Sequence, residues 1–228
     1  MSTPVHPVRL GPVLDRDVAG AAFLSCASVS LELASRDEVR DAWAHESSCD
    51  GMTVGGLTHH LLQQLVNCGK GLAAPAPTDA PVIGLLDHYA QAPWVAASRE
   101  GDLDPDQNAK DNAAAEAGPD AVLDLGRGAL ADLPALFAQP REPDVIHIPW
   151  QGWSLATPDY LTTRMMELVV HGDDLASSVD LPTPEHEPTV VSAVLGLLAD
   201  VALARHGQVA MVRALSRPQR LTGSISAF

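Results

Sequence analysis

The chain has 228 residues, 46% hydrophobic but only 4% aromatic, with 14 Lys and Arg against 29 Asp and Glu for a formal charge of −15. That length suits one large domain with a sizeable core, and abundant Ala and Leu with few aromatics favour packed helices over sheets. The acidic excess argues against nucleic acid or an anionic membrane as partner, since both are held through clustered Lys and Arg.

From the N-terminus, MSTPVHPVRLGPVLD lacks the apolar core of a signal peptide. No later segment reads as long enough to span a bilayer, and Cys26, Cys49 and Cys68 form neither a CxxC nor a disulfide framework. A soluble cytoplasmic protein with reduced thiols is therefore expected. The first helical pattern covers about residues 14–46, with a weak point at 35–37. SSCDG is a turn, Thr53 an N-cap, and a second helix covers 54–68. GKGLAAPAPTDAP reads as a connection, and a third helix is expected over 82–97. The acidic stretch 100–120 is read as a solvated face or a crossing segment, before a clear helix over 121–137. Val145, Ile146 and Ile148 suit a short extended piece. Thr157-Pro158-Asp159 then provides an N-cap, a proline at the first helical position and an acid in the first turn, opening a helix over 158–179. After the linker DLPTPEHEP come helices over 189–206 and 208–216. The expected fold is mainly all-α: a four-helix bundle with long crossing loops over residues 1–180, and a short C-terminal helical extension over 181–228 packed on it.

The helix over 158–179 carries the chemistry. Arg164, Glu167, His171 and Asp174 fall within an arc of about 80° on one side. Leu161, Leu168 and Leu175 run beside them, and Met165, Met166, Val169 and Val170 make most other faces apolar. Such a helix should be buried, and a carboxylate and an imidazole buried with it need compensation. Glu167 and His171, four apart, leave the helix about 6 Å apart, close enough to share one ion. A third ligand is available from His59 or His60 in GMTVGGLTHHLLQQL; His60 lies nearer the apolar face of Val54, Leu57, Leu61 and Leu65. Two imidazoles and one carboxylate leave a coordination position open, as in catalytic zinc sites. An i,i+4 Glu/His pair also arises by chance, and the alternative is a core network in which Arg164 neutralises Glu167.

Both segments resemble signatures of the mycothiol-dependent maleylpyruvate isomerase family, within the DinB-like helical-bundle superfamily. In that family a helix opens with Gly-Trp-Thr and ends with a metal-binding His followed by Leu, similar to GMTVGGLTHHL here. The second signature, Arg-x-x-Glu-x-x-x-His-x-x-Asp-Leu, is matched by Arg164, Glu167, His171, Asp174 and Leu175. The resemblance implies a divalent metal, zinc, on His60, Glu167 and His171, with mycothiol as co-substrate. It further implies S-transfer or isomerisation on a small electrophilic substrate. Met52 stands where the family usually has Trp, and only 48 residues follow Asp180, so a substrate other than maleylpyruvate is expected. A non-catalytic metal- or ligand-binding stress-type protein, or a metal-dependent hydrolase, are the alternatives. Assembly is left between monomer and homodimer.

Supporting roles stay open at this point. Arg164 pairs with Glu167 or binds a substrate carboxylate. Asp174 orients His171 or caps the helix end. His59 is a packing histidine or a pocket acid/base. Trp150 and Trp153 pack on the bundle or wall a pocket, His147 is structural, and Cys49 is a turn residue or a contact for a thiol ligand.

Overall fold

The computed structural model describes residues 9–75, 77, 79–95 and 105–228. In chain order its elements are α1 (Arg16–Ala34), α2 (Asp37–Asp41), α3 (Val54–Ala73), α4 (Leu85–Gln91), α5 (Pro105–Ala115), α6 (Pro119–Phe137), β1 (Val145–Ile148), β2 (Trp153–Ala156), α7 (Thr157–Ser178) and α8 (Pro188–Ser216). Helices α1 and α3 each pack against both α6 and α7, which makes these four the bundle. The mainly α, DinB-like fold expected from the sequence is thus the fold observed. Its centre is apolar and mostly aliphatic: Phe23, Leu57, Leu61, Leu65, Leu133, Leu161, Met165, Leu168 and Leu175 are fully buried. Each such side chain is worth about 1.5–3 kcal/mol of transfer free energy. The seven-residue stripe on α7 faces the core as its spacing requires.

Local chemistry sets most helix ends. Asp15 accepts from the Val18 amide, and Thr53 from the Gly56 amide, at 2.9 Å each. At residues 35 and 36 the first pattern divides into α1 and α2. Gly207, at φ 78°, likewise kinks α8 between the two stretches expected as separate helices.

Four expectations are corrected. First, α3 runs on to Ala73, because the glycines read as a breaker are packing positions: a Cβ on Gly71 would lie 2.7 Å from Ile146 Cγ2. Second, α4 is shorter than the helix expected over 82–97, of which 96–97 lie outside the described residues. Ile83 N donates to Ser154 O at 3.0 Å and Ser154 N to Pro81 O at 2.8 Å, so this stretch runs extended beside β2. Third, Thr157 is not an N-cap. The β1–β2 hairpin runs straight into α7, with Thr157 N on Asp144 O at 3.1 Å, while the Thr157 hydroxyl has no partner among the described residues. Fourth, two helices, Arg16–Ala34 and Pro188–Ser216, are long and apolar enough to cross a membrane by length and composition. In the folded chain they feed the core through Phe23, Cys26 and Ala27, and through Val190, Val194 and Leu197.

The acidic crossing segment, of which residues 100–104 lie outside the described part, contains α5, which lies on α3. Their contact is mostly polar. Asn112 Oδ1 accepts from Thr53 N at 2.9 Å and Thr53 Oγ1 at 3.1 Å, while its amide donates to Gly51 O at 3.0 Å. Trp43 Nε1 donates to Ala115 O at 3.0 Å. Both contacts need the Gly55-Gly56 pair at the start of α3. A Cβ would meet Trp43 at 2.6 Å from Gly55 and Asn112 Oδ1 at 2.2 Å from Gly56.

Replacing a helical glycine by alanine normally stabilises by about 0.5–1 kcal/mol. Gly56→Ala should do the reverse and cost about 1–3 kcal/mol by crowding. Urea unfolding measures this, and a variant as stable as wild type would refute the close-approach account.

Candidate metal centre

The centre lies where α3 and α7 face each other. His60 Nε2 is 3.8 Å from Glu167 Oε2, and His171 Nε2 is 3.3 Å from the same oxygen. One ligand atom from each of the three residues lies within 4.8 Å of the other two. The two imidazoles meet edge to face, with centroids 4.9 Å apart. Side-chain exposures of 19% for His60, 17% for Glu167 and 25% for His171 leave the cluster sheltered but open on one side.

Both rings are held from behind by carboxylates. His60 Nδ1 is 2.8 Å from Asp111 Oδ2, and His171 Nδ1 is 2.9 Å from Asp174 Oδ2. A nitrogen facing a carboxylate donates, so in the neutral ring each Nδ1 carries the proton and each Nε2 keeps its lone pair. Two lone pairs and a carboxylate oxygen therefore point at one another, a repulsive arrangement unless a cation or protons lie between them. Ligands about 2.0–2.1 Å from a tetrahedral zinc stand about 3.3 Å apart, close to the spacing here. The donor set and its carboxylate backing fit a divalent ion such as zinc.

Without a metal, protons take that place. Burial alone would depress His171, but hydrogen bonds with Asp174, Cys49 and Glu167 hold it well above the ordinary histidine range. His60 is raised too, Asp111 and Glu167 outweighing burial. Burial would raise Glu167, yet bonds from His171 and His60 and the charge of Arg164 keep it well below the usual carboxylate range.

Arg164 keeps the expected ion pair with Glu167 at long range, while its direct hydrogen bonds go elsewhere. Its Nη1 donates to Gln64 Oε1 at 2.6 Å and its Nε to Thr163 Oγ1 at 3.0 Å, while Nη2 stays 3.9 Å from Glu167 Oε1. The guanidinium also lies 5.5 Å from the centroid of the Tyr160 ring. Asp174 takes the orienting position on His171 rather than a helix-end cap.

The SSCDG turn docks on the end of α7: Ser48 N donates to Ser178 Oγ at 2.9 Å, and Ser48 Oγ to Asp174 O at 2.8 Å. This brings Cys49 to within 4.8 Å of His171 and Asp174 ligand atoms. The other two thiols are buried, and burial pushes Cys26 up to about 12 and raises Cys68 as well. Met52, under the turn, is a core residue.

Asp111, Gln64 and His88 were not singled out from the sequence. Asp111 is 1% exposed, so the acidic stretch is not simply a solvated face. His59, expected as a packing histidine, also binds it, with Nδ1 2.7 Å from Oδ1. Gln64, one turn after His60, has the only readable signal, its i,i+4 spacing. His88 is buried and accepts from Trp153 Nε1 at 3.1 Å; burial first, then the charge of Arg164, lowers it to about 4. Trp153 is thus tied to α4, whereas Trp150 is 69% exposed and does not pack as expected. His147 stays structural, bonding Ser154 across the hairpin at 3.3 Å.

Against known proteins, residues 29–176 match the family model described as the mycothiol maleylpyruvate isomerase N-terminal domain. No curated protein and no solved structure matches the chain.

A histidine raised by its partners stabilises the fold fully below its ordinary value of 6.5, and loses that contribution as pH rises through the raised value. Glu167 and Asp111, both depressed, contribute above the ordinary carboxylate range and lose it only as pH falls through their lowered values. The metal-free protein should therefore melt higher near pH 6.5 than near about pH 9. His171→Ala should flatten that dependence; an unchanged slope in the variant would mean His171 does not carry it.

Proposed function

This chain belongs to the mycothiol maleylpyruvate isomerase N-terminal domain family, and from that premise we propose that it is a zinc-dependent enzyme acting with a low-molecular-weight thiol such as mycothiol. His60, Glu167 and His171 would hold the ion, and the reaction is S-transfer or isomerisation on a small electrophile. The observation that carries this reading is the convergence of two Nε2 atoms on Glu167 Oε2, with each Nδ1 taken by a carboxylate.

Held by His60, Glu167 and His171, a divalent ion would supply Lewis-acid chemistry that favours the thiolate form of a bound thiol near neutral pH. The chain's own residues do the rest. Asp174 holds the His171 ring in one tautomer and orientation. Gln64 and Thr163 fix the Arg164 guanidinium at the edge of the cluster, where it balances the charge of Glu167. Leu161, Leu168 and Leu175 keep water from the inner side of α7. The partly exposed side is left for thiol and electrophile. Three free cysteines agree with a reducing cytoplasm, where such thiols are kept.

Purified protein should carry about one zinc per chain by elemental analysis, falling to background in His60→Ala and Glu167→Ala. Asp174→Asn should bind zinc about 10–100-fold more weakly. Incubating the loaded protein with mycothiol and a panel of electrophiles should consume the thiol. Full metal content in both alanine variants would sink the ligand set, and turnover independent of thiol would sink the thiol chemistry.

A further inference from the structure

Helix α3 carries two adjacent histidines, His59 and His60, that turn to one carboxylate. We propose that Asp111 is the positioning residue of His60 and that His59 is the second anchor of Asp111, so that the pair divides into one ligand and one holder. This rests on the reading of His60, Glu167 and His171 as a metal centre.

Asp111 comes from α5, 51 residues beyond His60, and is 1% exposed. A carboxylate so enclosed must be fully compensated. Three donors do this: His59 Nδ1 on Oδ1 at 2.7 Å, His60 Nδ1 on Oδ2 at 2.8 Å, and Gln107 Nε2 on Oδ2 at 2.8 Å. Neighbouring side chains on a helix diverge by about 100°. One carboxylate can serve both rings only if each turns its Nδ1 inward. That shared demand fixes the His60 ring and tautomer, leaving Nε2 facing Glu167 Oε2 at 3.8 Å. Gln107 and His60 share Oδ2, and the bond from His59 to Oδ1 fixes the other oxygen, so the carboxylate cannot turn with the His60 ring. The two sides of the centre then match in kind. Asp174 backs His171 from the same helix, three residues on, whereas Asp111 backs His60 from a separate helix and needs a second anchor.

The α5 helix has other holds on the turn that leads into α3, so the role of Asp111 can be separated from docking. Asn112 clamps Thr53 and Gly51, and Asn108 donates to Asp50 O at 3.1 Å. These contacts touch neither histidine.

The test measures zinc affinity by chelator competition, and the His60 ring nitrogen pattern by NMR on the metal-free chain at alkaline pH, where the ring is neutral. Asp111→Asn, close to isosteric, should weaken zinc about 10–100-fold and shift His60 away from the Nδ1–H form. His59→Leu should weaken zinc in the same direction. His59→Asn, which keeps a donor near the Nδ1 position, should restore it. Asn112→Ala should lower the melting temperature yet leave zinc affinity near wild type. Unchanged affinity and ring pattern in Asp111→Asn would overturn the proposal. So would an Asn112→Ala loss as large as that of Asp111→Asn, which would assign the effect to α5 docking. Wild-type protein that binds no zinc would refute the metal reading instead, and the His60 ring pattern in Asp111→Asn would then decide positioning alone.

Discussion

A carboxylate set between two imidazole lone pairs is the constraint around which this bundle is arranged. Glu167 Oε2 faces His60 Nε2 at 3.8 Å and His171 Nε2 at 3.3 Å. Neutral rings in that orientation would repel the carboxylate and each other. The fold nevertheless enforces the orientation, since Asp111 and Asp174 occupy the opposite nitrogens. Polar groups in such a site favour a positive occupant, and the packing around them keeps the rings from turning away.

Bringing a carboxylate from a separate helix to His60 has architectural consequences. Helix α5 carries no apolar residue larger than alanine or proline, and it docks on α3 and the segment before it through asparagine, aspartate and a backbone carbonyl. Such a helix can approach only where α3 offers no side chains, which is the part of Gly55 and Gly56. The close contacts at these glycines and the hydrogen bonds of Asp111 are parts of one device. The turn before α3 performs the corresponding task at the other end of the centre, laying Ser48 and Cys49 against α7.

What could be read in advance follows from range in sequence. The bundle was legible because Leu161, Leu168 and Leu175 repeat within one helix, and because Leu57, Leu61 and Leu65 repeat within another. Glu167, His171 and Asp174 share a helical face, so their juxtaposition is local. Pairing them with His60 drew on helix-face geometry and family resemblance together. Asp111 had no such signal. It lies in a segment rich in Asp, Asn and Ala, whose composition describes solvent exposure, and only the register of α5 on α3 turns that one carboxylate inward. The same holds for the end of α3. Gly69 and Gly71 look like a break until β1 places Ile146 against Gly71. The start of α7 was misread for a related reason, as a hairpin strand replaced the side-chain cap.

Charge closes the account of the centre. Asp111, Glu167 and Asp174 bring three negative charges, and Arg164 one positive charge. With both rings neutral the cluster carries two uncompensated negative charges in a sheltered place. Two protons, one on each ring, would offset them; against burial, hydrogen bonds with Asp111 and Glu167 raise His60, and those with Asp174, Cys49 and Glu167 raise His171. A single divalent cation would cancel them equally well. If a divalent ion is held here, as proposed, its binding at lower pH would displace protons from the two rings. Neutralising Asp111 or Asp174 would change that stoichiometry as well as the ring geometry. On the proposed reading, the carboxylates behind the histidines would bear on the charge of a bound ion as well as on its position.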